Sequence, residues 1–589
     1  MSIKQEVESP IVDNHSQISN ETVLPNIQIP NETVLPDIQT STNLEENEVI
    51  NLGPRNRNPP SRYNPETGLW TKPTADNMHL DIEEVNTVMI PSNRHSESIV
   101  IEAKNKELDN WRNFEVMDEV QDIGQKTIST RWVVSEKDNP DNSKNVKARL
   151  VIWGFEEDEQ LQVDSPTVSK VTFRLGLAIA ANEGWCPETI DIKGAFLQGK
   201  LIEREVYVEP PPEVKKLGLI WRLRKTAYGL CDAAREWHIS LVKELVSLGC
   251  KQSELDKAAF SYYDESNVLQ GIVLIHVDDI ICAGGHNFKS KVVRGIVDKF
   301  QVGKHQRGSF KYVGIEVDHE IGSIRISQRQ YVDEMIEIDF DNASRNKNEL
   351  LSPHETKQLR ALTGQILWVS SQTRLDACFD ALELSMERNK GTIETLKRAN
   401  KVVRKLKHQH YSLLYQKLGH AKDFEIYVYA DASYANLPDQ VSSAGGHVII
   451  LKCRDSMKCS VIDWSSSKIK RVIDNTLASE TISMKLAVES AIYIGHLINE
   501  FYNDSFQNNP IPVFSFTDNR SLEEAARSTK QVSGKRLRID LAELKRILES
   551  KELQDMRWCE SKDQLADGLT KKGVLMNRLL AVAEKGHLI

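Results

Sequence analysis

The chain has 589 residues, 40% hydrophobic and 27% charged, with a net charge of -10. That length exceeds a single hydrophobic core and predicts roughly two to four domains. No apolar run reaches the roughly eighteen residues of a membrane-spanning helix, and the eight cysteines include no C-x-x-C pair, which argues against a disulfide framework and against a zinc site; the totals predict a soluble intracellular protein.

The charge is unevenly spread. The first fifty residues hold nine acidic side chains against one lysine, Lys4, so most of the net charge sits there and the rest of the chain is close to neutral. Whole-chain charge therefore does not exclude an anionic partner for the folded part. Residues 1–60 lack helix or strand periodicity and repeat Asn20-Glu-Thr-Val-Leu-Pro as Asn31-Glu-Thr-Val-Leu-Pro. Two proline-bearing copies build no core, so the tail reads as disordered. Residues 54–75 turn basic and Pro-rich and read as a linker, with a phosphate-binding arm as the alternative.

Ordered structure is expected to start near Trp111. Thr127–Glu136 and Val146–Ile152 read as strands around a polar turn at 138–144. Lys147 and Arg149 alternate on one face of the second strand, so both can reach one anionic ligand. A helix over 168–183 follows, its apolar stripe being core. Asp191 then ends a strand, with Phe196 five residues on. Ala233–Leu248 is an amphipathic helix closed by Gly249. Two Ile/Val-rich runs at 268–283 enclose Asp278-Asp279, which reads as a strand–turn–strand hairpin with the acid pair at the turn. Phe310–Asp318 and Ser323–Ser327 read as another hairpin. Helices follow at 329–338, 356–371, 377–387 and 393–407, the last with a basic cluster. After Gly419 the order is three strands, helix, strand, helix, strand and a final helix opening at Gln564–Thr570: an α/β unit of about 150 residues.

Two acid constellations emerge. If their strands are neighbours, Asp191, Asp278 and Asp279 meet at one sheet edge. Hard oxygen ligands in that number suit magnesium, completed by substrate phosphates, and two such ions about 3.5–4 Å apart serve nucleotidyl transfer. Lys147 and Arg149 would then supply counter-charge to a triphosphate. Asp431, Glu480, Asp518 and Asp567 lie at strand ends and helix starts in the second unit. Four acids there with no His or Cys ligand suggest two-metal hydrolysis of a phosphodiester.

The order of motifs resembles that of copia-type LTR retrotransposon Pol polyproteins, in their reverse transcriptase and RNase H portion, over roughly residues 111–575. Lys147-Ala-Arg-Leu-Val, Asp191-Ile-Lys-Gly-Ala-Phe-Leu-Gln-Gly, Tyr228-Gly-Leu, Val277-Asp-Asp, Tyr312-Val-Gly-Ile-Glu-Val, Leu362-Thr-Gly-Gln-Ile-Leu-Trp and Thr373-Arg-Leu-Asp fall in the family's order. So do Ala430-Asp-Ala-Ser-Tyr, Trp464-Ser-Ser-Ser-Lys, Ala478-Ser-Glu-Thr, Thr517-Asp-Asn and Gln564-Leu-Ala-Asp-Gly-Leu-Thr-Lys. Three positions depart from the pattern: His276 stands where the family has Tyr, Trp153 where it has Arg, and Asp232 where Gln is common. Zinc-knuckle, protease and integrase motifs are missing, so the chain reads as the C-terminal part of a polyprotein or a truncated copy.

The resemblance implies an α+β right-hand polymerase followed by an α/β RNase H-like domain: a disordered tail at 1–60, a linker at 61–110, fingers and palm at 111–328, a helical thumb or connection at 329–421, the RNase H-like domain at 422–577 and a short tail at 578–589. It implies an RNA-directed DNA polymerase with ribonuclease H activity. Asp191, Asp278 and Asp279 would hold two magnesium ions, and Asp431, Glu480, Asp518 and Asp567 two more, with manganese as a substitute. Phe196 would be the steric gate against a ribose 2′-hydroxyl, and Lys147, Arg149 and Gly229 would complete the nucleotide site. The partners implied are RNA template, DNA primer, RNA–DNA hybrid and deoxynucleotide triphosphates, with no membrane; the place implied is a cytoplasmic virus-like particle with entry to the nucleus. The alternative is an inactive or co-opted relic that only binds nucleic acid.

Overall fold

The computed structural model describes residues 88–138, 144–157, 161–340, 345–502, 511–529 and 532–588, together with strands at 62–64 and 69–71. The chain divides into two compact units, 1–76 and 77–589. In the first, Arg62–Asn64 pairs antiparallel with Leu69–Thr71. The expected disorder of residues 1–60 and the polar turn at 139–143 lie outside the described residues.

In the second unit the ordered chain begins well before Trp111. Val88–Met89 is a strand, and helix α1 spans Ser98–Asn113, with Trp111 fully buried inside it. The linker reading of 61–110 missed this helix because α1 alternates charges along its length and its stripe is short. The fingers hairpin is β1 (Thr130–Asp138) and β2 (Lys144–Ile152).

The part expected to be the palm is a six-stranded sheet in the order 250–252, 259–263, β4 (Leu269–His276), β5 (Asp279–Gly284), β3 (Glu188–Ile192), β6 (Val302–Arg307). Its two faces follow from alternation along β4. Ile272 and Leu274 join one apolar cluster with helix α2 (Lys170–Glu183), while Val273 and Ile275 join another with helix α3 (Ala233–Ser247). A sheet covered on both sides needs apolar residues at every position, hence the unbroken Ile272–Ile275 run. Ser169 caps α2 by accepting from the Thr172 amide, and Gly184 closes it at φ +72°.

Beyond the palm, four strands form a meander, Phe310–Tyr312, Ile315–Glu320, Ser323–Ser327 and Leu413–Gln416, where the sequence predicted one hairpin. Between them lie α4 (Pro353–Gln372), α5 (Cys378–Glu387) and α6 (Ile393–His408).

The last part is a five-stranded sheet. Strands β7 (Phe424–Ser433), β8 (Ala444–Cys453) and β9 (Cys459–Lys468) form an antiparallel meander; β10 (Val513–Thr517) runs parallel to β7, and Asp555–Trp558 parallel to β10. Helix α7 (Thr476–Phe501) packs on this sheet. A helix at Arg520–Arg527, absent from the sequence reading, precedes the expected one at Lys535–Glu549. Gln564–Thr570 does not open a helix; Asp567–Leu569 is one short turn and the final helix is Asn577–Lys585. An α+β part built around a six-stranded sheet is thus followed by an α/β domain built around a five-stranded one.

Candidate active sites

The palm acids are brought together by strand register. Asp279 lies directly opposite Asp191 on the neighbouring strand, so the two side chains share one face. The Ile192 amide donates to the Asp278 carbonyl at 3.0 Å. The turn itself differs from expectation. His276 pairs with Asp279, so the turn residues are Val277 and Asp278, and Asp279 already belongs to β5. Val277 stands at φ +57°. A positive φ at the first turn residue alone is the type II′ pattern, which favours Gly; a β-branched residue there is strained. Trp237 Nε1 donates to the Val277 carbonyl at 2.7 Å and holds the turn.

Gly303 was missed by the sequence reading. It lies at an irregularity in β6 beside β3, and a Cβ added there would collide with Asp191 Oδ2. The Asp191 carboxylate thus occupies a notch that only glycine leaves open. A local signal for it in Gln301-Val-Gly-Lys is lacking.

The fingers meet the palm through an aromatic stack. The Arg149 guanidinium lies 5.6 Å over the Tyr228 ring, and Tyr228 meets Phe196 edge-on at 5.4 Å. Lys147, two residues earlier on β2, is exposed. Gly229, at φ +96°, lets the loop backbone lie against β2, where a Cβ would strike the Ile152 carbonyl; the Ile152 amide donates to the Tyr228 carbonyl at 2.8 Å. The departures have local partners. Asp232 takes both guanidinium nitrogens of Arg204 at 2.6 and 2.9 Å, and Arg204 also reaches Glu157 at 2.7 Å. Trp153 packs on Phe155 at 5.2 Å, with the Arg131 guanidinium 5.8 Å over its ring. His276 meets Tyr312 edge-on at 6.4 Å.

In the second domain Asp431 lies two residues before the end of the central strand, Glu480 sits in the first turns of α7, and Asp518 follows β10. Their ligand oxygens all lie within 4.8 Å of one another. Among the described residues, Asp567 and the palm acids lie outside this tight group. Asp567 instead pairs with Lys571, whose Nζ also lies 3.3 Å from Asp431 Oδ1; Thr570 donates to the other Asp431 oxygen. Ser561 Oγ donates to Asp518 Oδ2 at 2.8 Å. Lys571 and Thr570 are functional neighbours that the sequence reading quoted only inside a motif.

Burial pushes Asp431 up to about 6, against the pull of Lys571 and Thr570. Burial, and then the charges of Asp431 and Asp518, push Glu480 up to about 9. Three carboxylates this close do not all ionise without further positive charge. A donor set of hard oxygens, short of counter-charge, fits a divalent magnesium- or manganese-type ion.

Comparison with known proteins follows the same division. Residues 112–351 match the family model for reverse transcriptase (RNA-dependent DNA polymerase). The retrovirus-related Pol polyprotein from transposon RE1 of Arabidopsis thaliana is 25% identical over 393 residues, covering 63% of this chain and 26% of its own length. That from transposon RE2 of the same plant is 26% identical over 465 residues, covering 75% and 31%. Over most of its length the chain is thus similar to retrovirus-related Pol polyproteins of plant transposons. It spans between a quarter and a third of the length of these two relatives. Among solved structures, a foamy viral protease–reverse transcriptase in complex with double-stranded DNA aligns with 79% of this chain and 70% of its own, at 12% identity and a TM-score of 0.47. RNase H1 from Halobacterium salinarum aligns with 25% of this chain and 94% of its own, at 15% identity and a TM-score of 0.18.

Proposed function

We propose that this copia-type chain is an RNA-directed DNA polymerase acting on a primer–template, with a second site that hydrolyses RNA in RNA–DNA hybrids. The observation that carries the reading is the pairing of Asp191 with Asp279 across β3 and β5, with Asp278 at the adjoining turn and the Arg149–Tyr228–Phe196 stack linking fingers to palm. The three palm acids would hold the divalent ions, and Asp431, Glu480 and Asp518 those of the nuclease. A divalent ion held by these acids would lower the pKa of the attacking hydroxyl or water and offset charge on the leaving oxygen.

The chain's own residues do the rest. Lys147 and Arg149 lie on one face of β2, where they counter the triphosphate of an incoming deoxynucleotide. Phe196, braced edge-on by Tyr228, closes the space a ribose 2′-hydroxyl would enter. Trp237 and Gly303 hold the turn and the Asp191 carboxylate in place. In the nuclease, Ser483 Oγ donates to the Asp431 carbonyl at 2.8 Å and ties that strand end to α7. Asp567 lies at the rim, within reach of the same site through Lys571.

Primer extension on an RNA template and cleavage of a labelled hybrid, measured side by side, test both halves. Asp278→Ala should lower magnesium-dependent extension at least about 100-fold and leave cleavage intact; Asp518→Ala should do the reverse. Absence of magnesium-dependent extension by the wild type sinks the polymerase reading, and hybrid cleavage insensitive to Asp518→Ala sinks the nuclease one.

A further inference from the structure

One buried charge belongs to neither site. Arg174 lies in the middle of α2 and is 0% exposed. Its neighbours along the helix are apolar and cover the palm sheet, yet its guanidinium leaves that helix for two other elements. Nη2 donates to the carbonyls of Ser371 and Gln372, at 3.1 Å for the latter, at the C-terminal end of α4. That end carries the negative pole of the helix. Nη1 lies 3.4 Å from both the Ile462 carbonyl and Asp463 Oδ1 on β9 of the nuclease sheet. The guanidinium stacks 3.7 Å over the Trp464 ring, and Trp464 Nε1 donates back to the Ser370 carbonyl at 2.9 Å. Palm helix, connecting helix and nuclease strand therefore close on one planar cation.

A second seam lies at the far end of α7. Glu500 accepts from Ser253 Oγ at 2.6 Å and from the Glu254 amide, and Tyr263 Oη donates to the Glu500 carbonyl at 3.0 Å. One apolar cluster runs from α2 into the nuclease core. Domains joined only by a linker move relative to one another by default. Here the nuclease is seated on the helix that underlies the palm sheet, the sheet whose adjacent inner strands carry Asp191 and Asp279.

We propose that Arg174 is a positioning residue: it fixes the nuclease acids at a set distance from the palm acids, so that a hybrid held at the primer terminus is cut at a set position behind it. This rests on the two-activity reading above. The planar fork is what the site uses, because it satisfies several acceptors at once while its flat face covers an indole. A lysine keeps the charge and loses both features. Methionine keeps the apolar stem and volume but removes the donors.

The test uses the full chain and a 5′-labelled RNA annealed to a recessed DNA primer, mapping cuts from the primer 3′ end. The wild type should cut in a narrow band. Arg174→Met and Trp464→Leu should each widen that band at least about twofold, with Arg174→Lys between, while extension of the same primer stays within about twofold. Hydrogen exchange gives a reading that needs no activity. In Arg174→Met, amides of 369–373 and 459–468 should exchange at least about tenfold faster, with strands 269–284 unchanged. An unchanged cut band in a folded Arg174→Met protein overturns the proposal, as does a wild type that cuts without regard to the primer end. Loss of protection across the palm strands makes Arg174 a folding residue and overturns it too. A wild type that cuts no hybrid sinks the nuclease reading instead, and the exchange pattern still decides whether Arg174 locks the two domains.

Discussion

The two acid sites solve one problem, gathering carboxylates, in opposite ways. In the palm the acids are half-buried and held by backbone: two face each other across adjacent strands, the third sits in a strained turn, and a glycine notch receives Asp191. In the second domain the acids come from three separate elements, two are buried, and their charge is managed by displaced protonation and by Lys571. A site built on backbone geometry should fail when the backbone or its packing shifts by a fraction of an ångström. A site built on burial should respond to pH and charge.

Gly303→Ala separates them most sharply. The new Cβ would displace the Asp191 carboxylate, and a misplacement on the order of 1 Å costs about 100-fold in rate. Extension should fall by about that factor while hybrid cleavage is unchanged. Extension within a few-fold of wild type would mean that β6 yields and the notch is incidental.

Glu480→Gln probes the other principle. Glu480 is held near 9 in the folded chain against an ordinary value of 4.5. Between those values the folded state keeps a proton that the unfolded state has released. Stability from this group is therefore fully present below about pH 4.5 and declines as pH rises toward 9. Glutamine stays neutral throughout. Denaturation in the presence of a chelator should show Glu480→Gln more stable than wild type by about 2 kcal/mol or more at pH 8, with the difference vanishing near pH 4. Magnesium should reverse the order at pH 8, since only the carboxylate gains from the ion. A difference that does not change with pH would contradict the burial argument.

The acids themselves were legible in the sequence because they stand at strand ends, at a turn and at expected helix starts, where carboxylates can converge. What local pattern does not carry is register. The reading put both Asp278 and Asp279 in the turn, although the pairing of His276 with Asp279 leaves only Asp278 there. Gly303 was invisible because its importance lies in a carboxylate more than a hundred residues away. Arg174 left a faint signal: a charge inside a helix apolar on all sides, where only a partnered charge survives. The reading followed the apolar stripe of that helix and passed over it. Asp567 was grouped with the other acids by its place at an expected helix start, whereas only one short turn forms there and the structure binds Asp567 to Lys571.

Lys571→Ala sharpens the comparison from the second site, with a smaller effect. The ammonium neutralises Asp431 and Asp567, so a divalent ion entering the site competes with it. Removing it strips positive charge from the acids, which favours the ion, but also raises the pKa of Asp431, which partly cancels the gain. The side chain is 39% exposed, so solvent screens much of its field. Manganese titration should show affinity rising by only a few-fold. A fall in affinity would show that Lys571 orders the acids more than it competes for them.

Val277→Gly is the smallest and the most diagnostic for the palm. Glycine takes φ +57° without strain, which favours the folded state by about 1–3 kcal/mol. It also frees the unfolded chain, which offsets about 0.5–1 kcal/mol of that gain. The Trp237 bond is to the Val277 carbonyl and survives the change. Net stability should therefore rise by about 1 kcal/mol, while a looser turn lets Asp278 wander and slows extension a few-fold. Stability and rate moving in opposite directions is what a strained, geometry-built site requires. If both fell together, the valine side chain would be packing for the fold, and the turn would hold no useful strain.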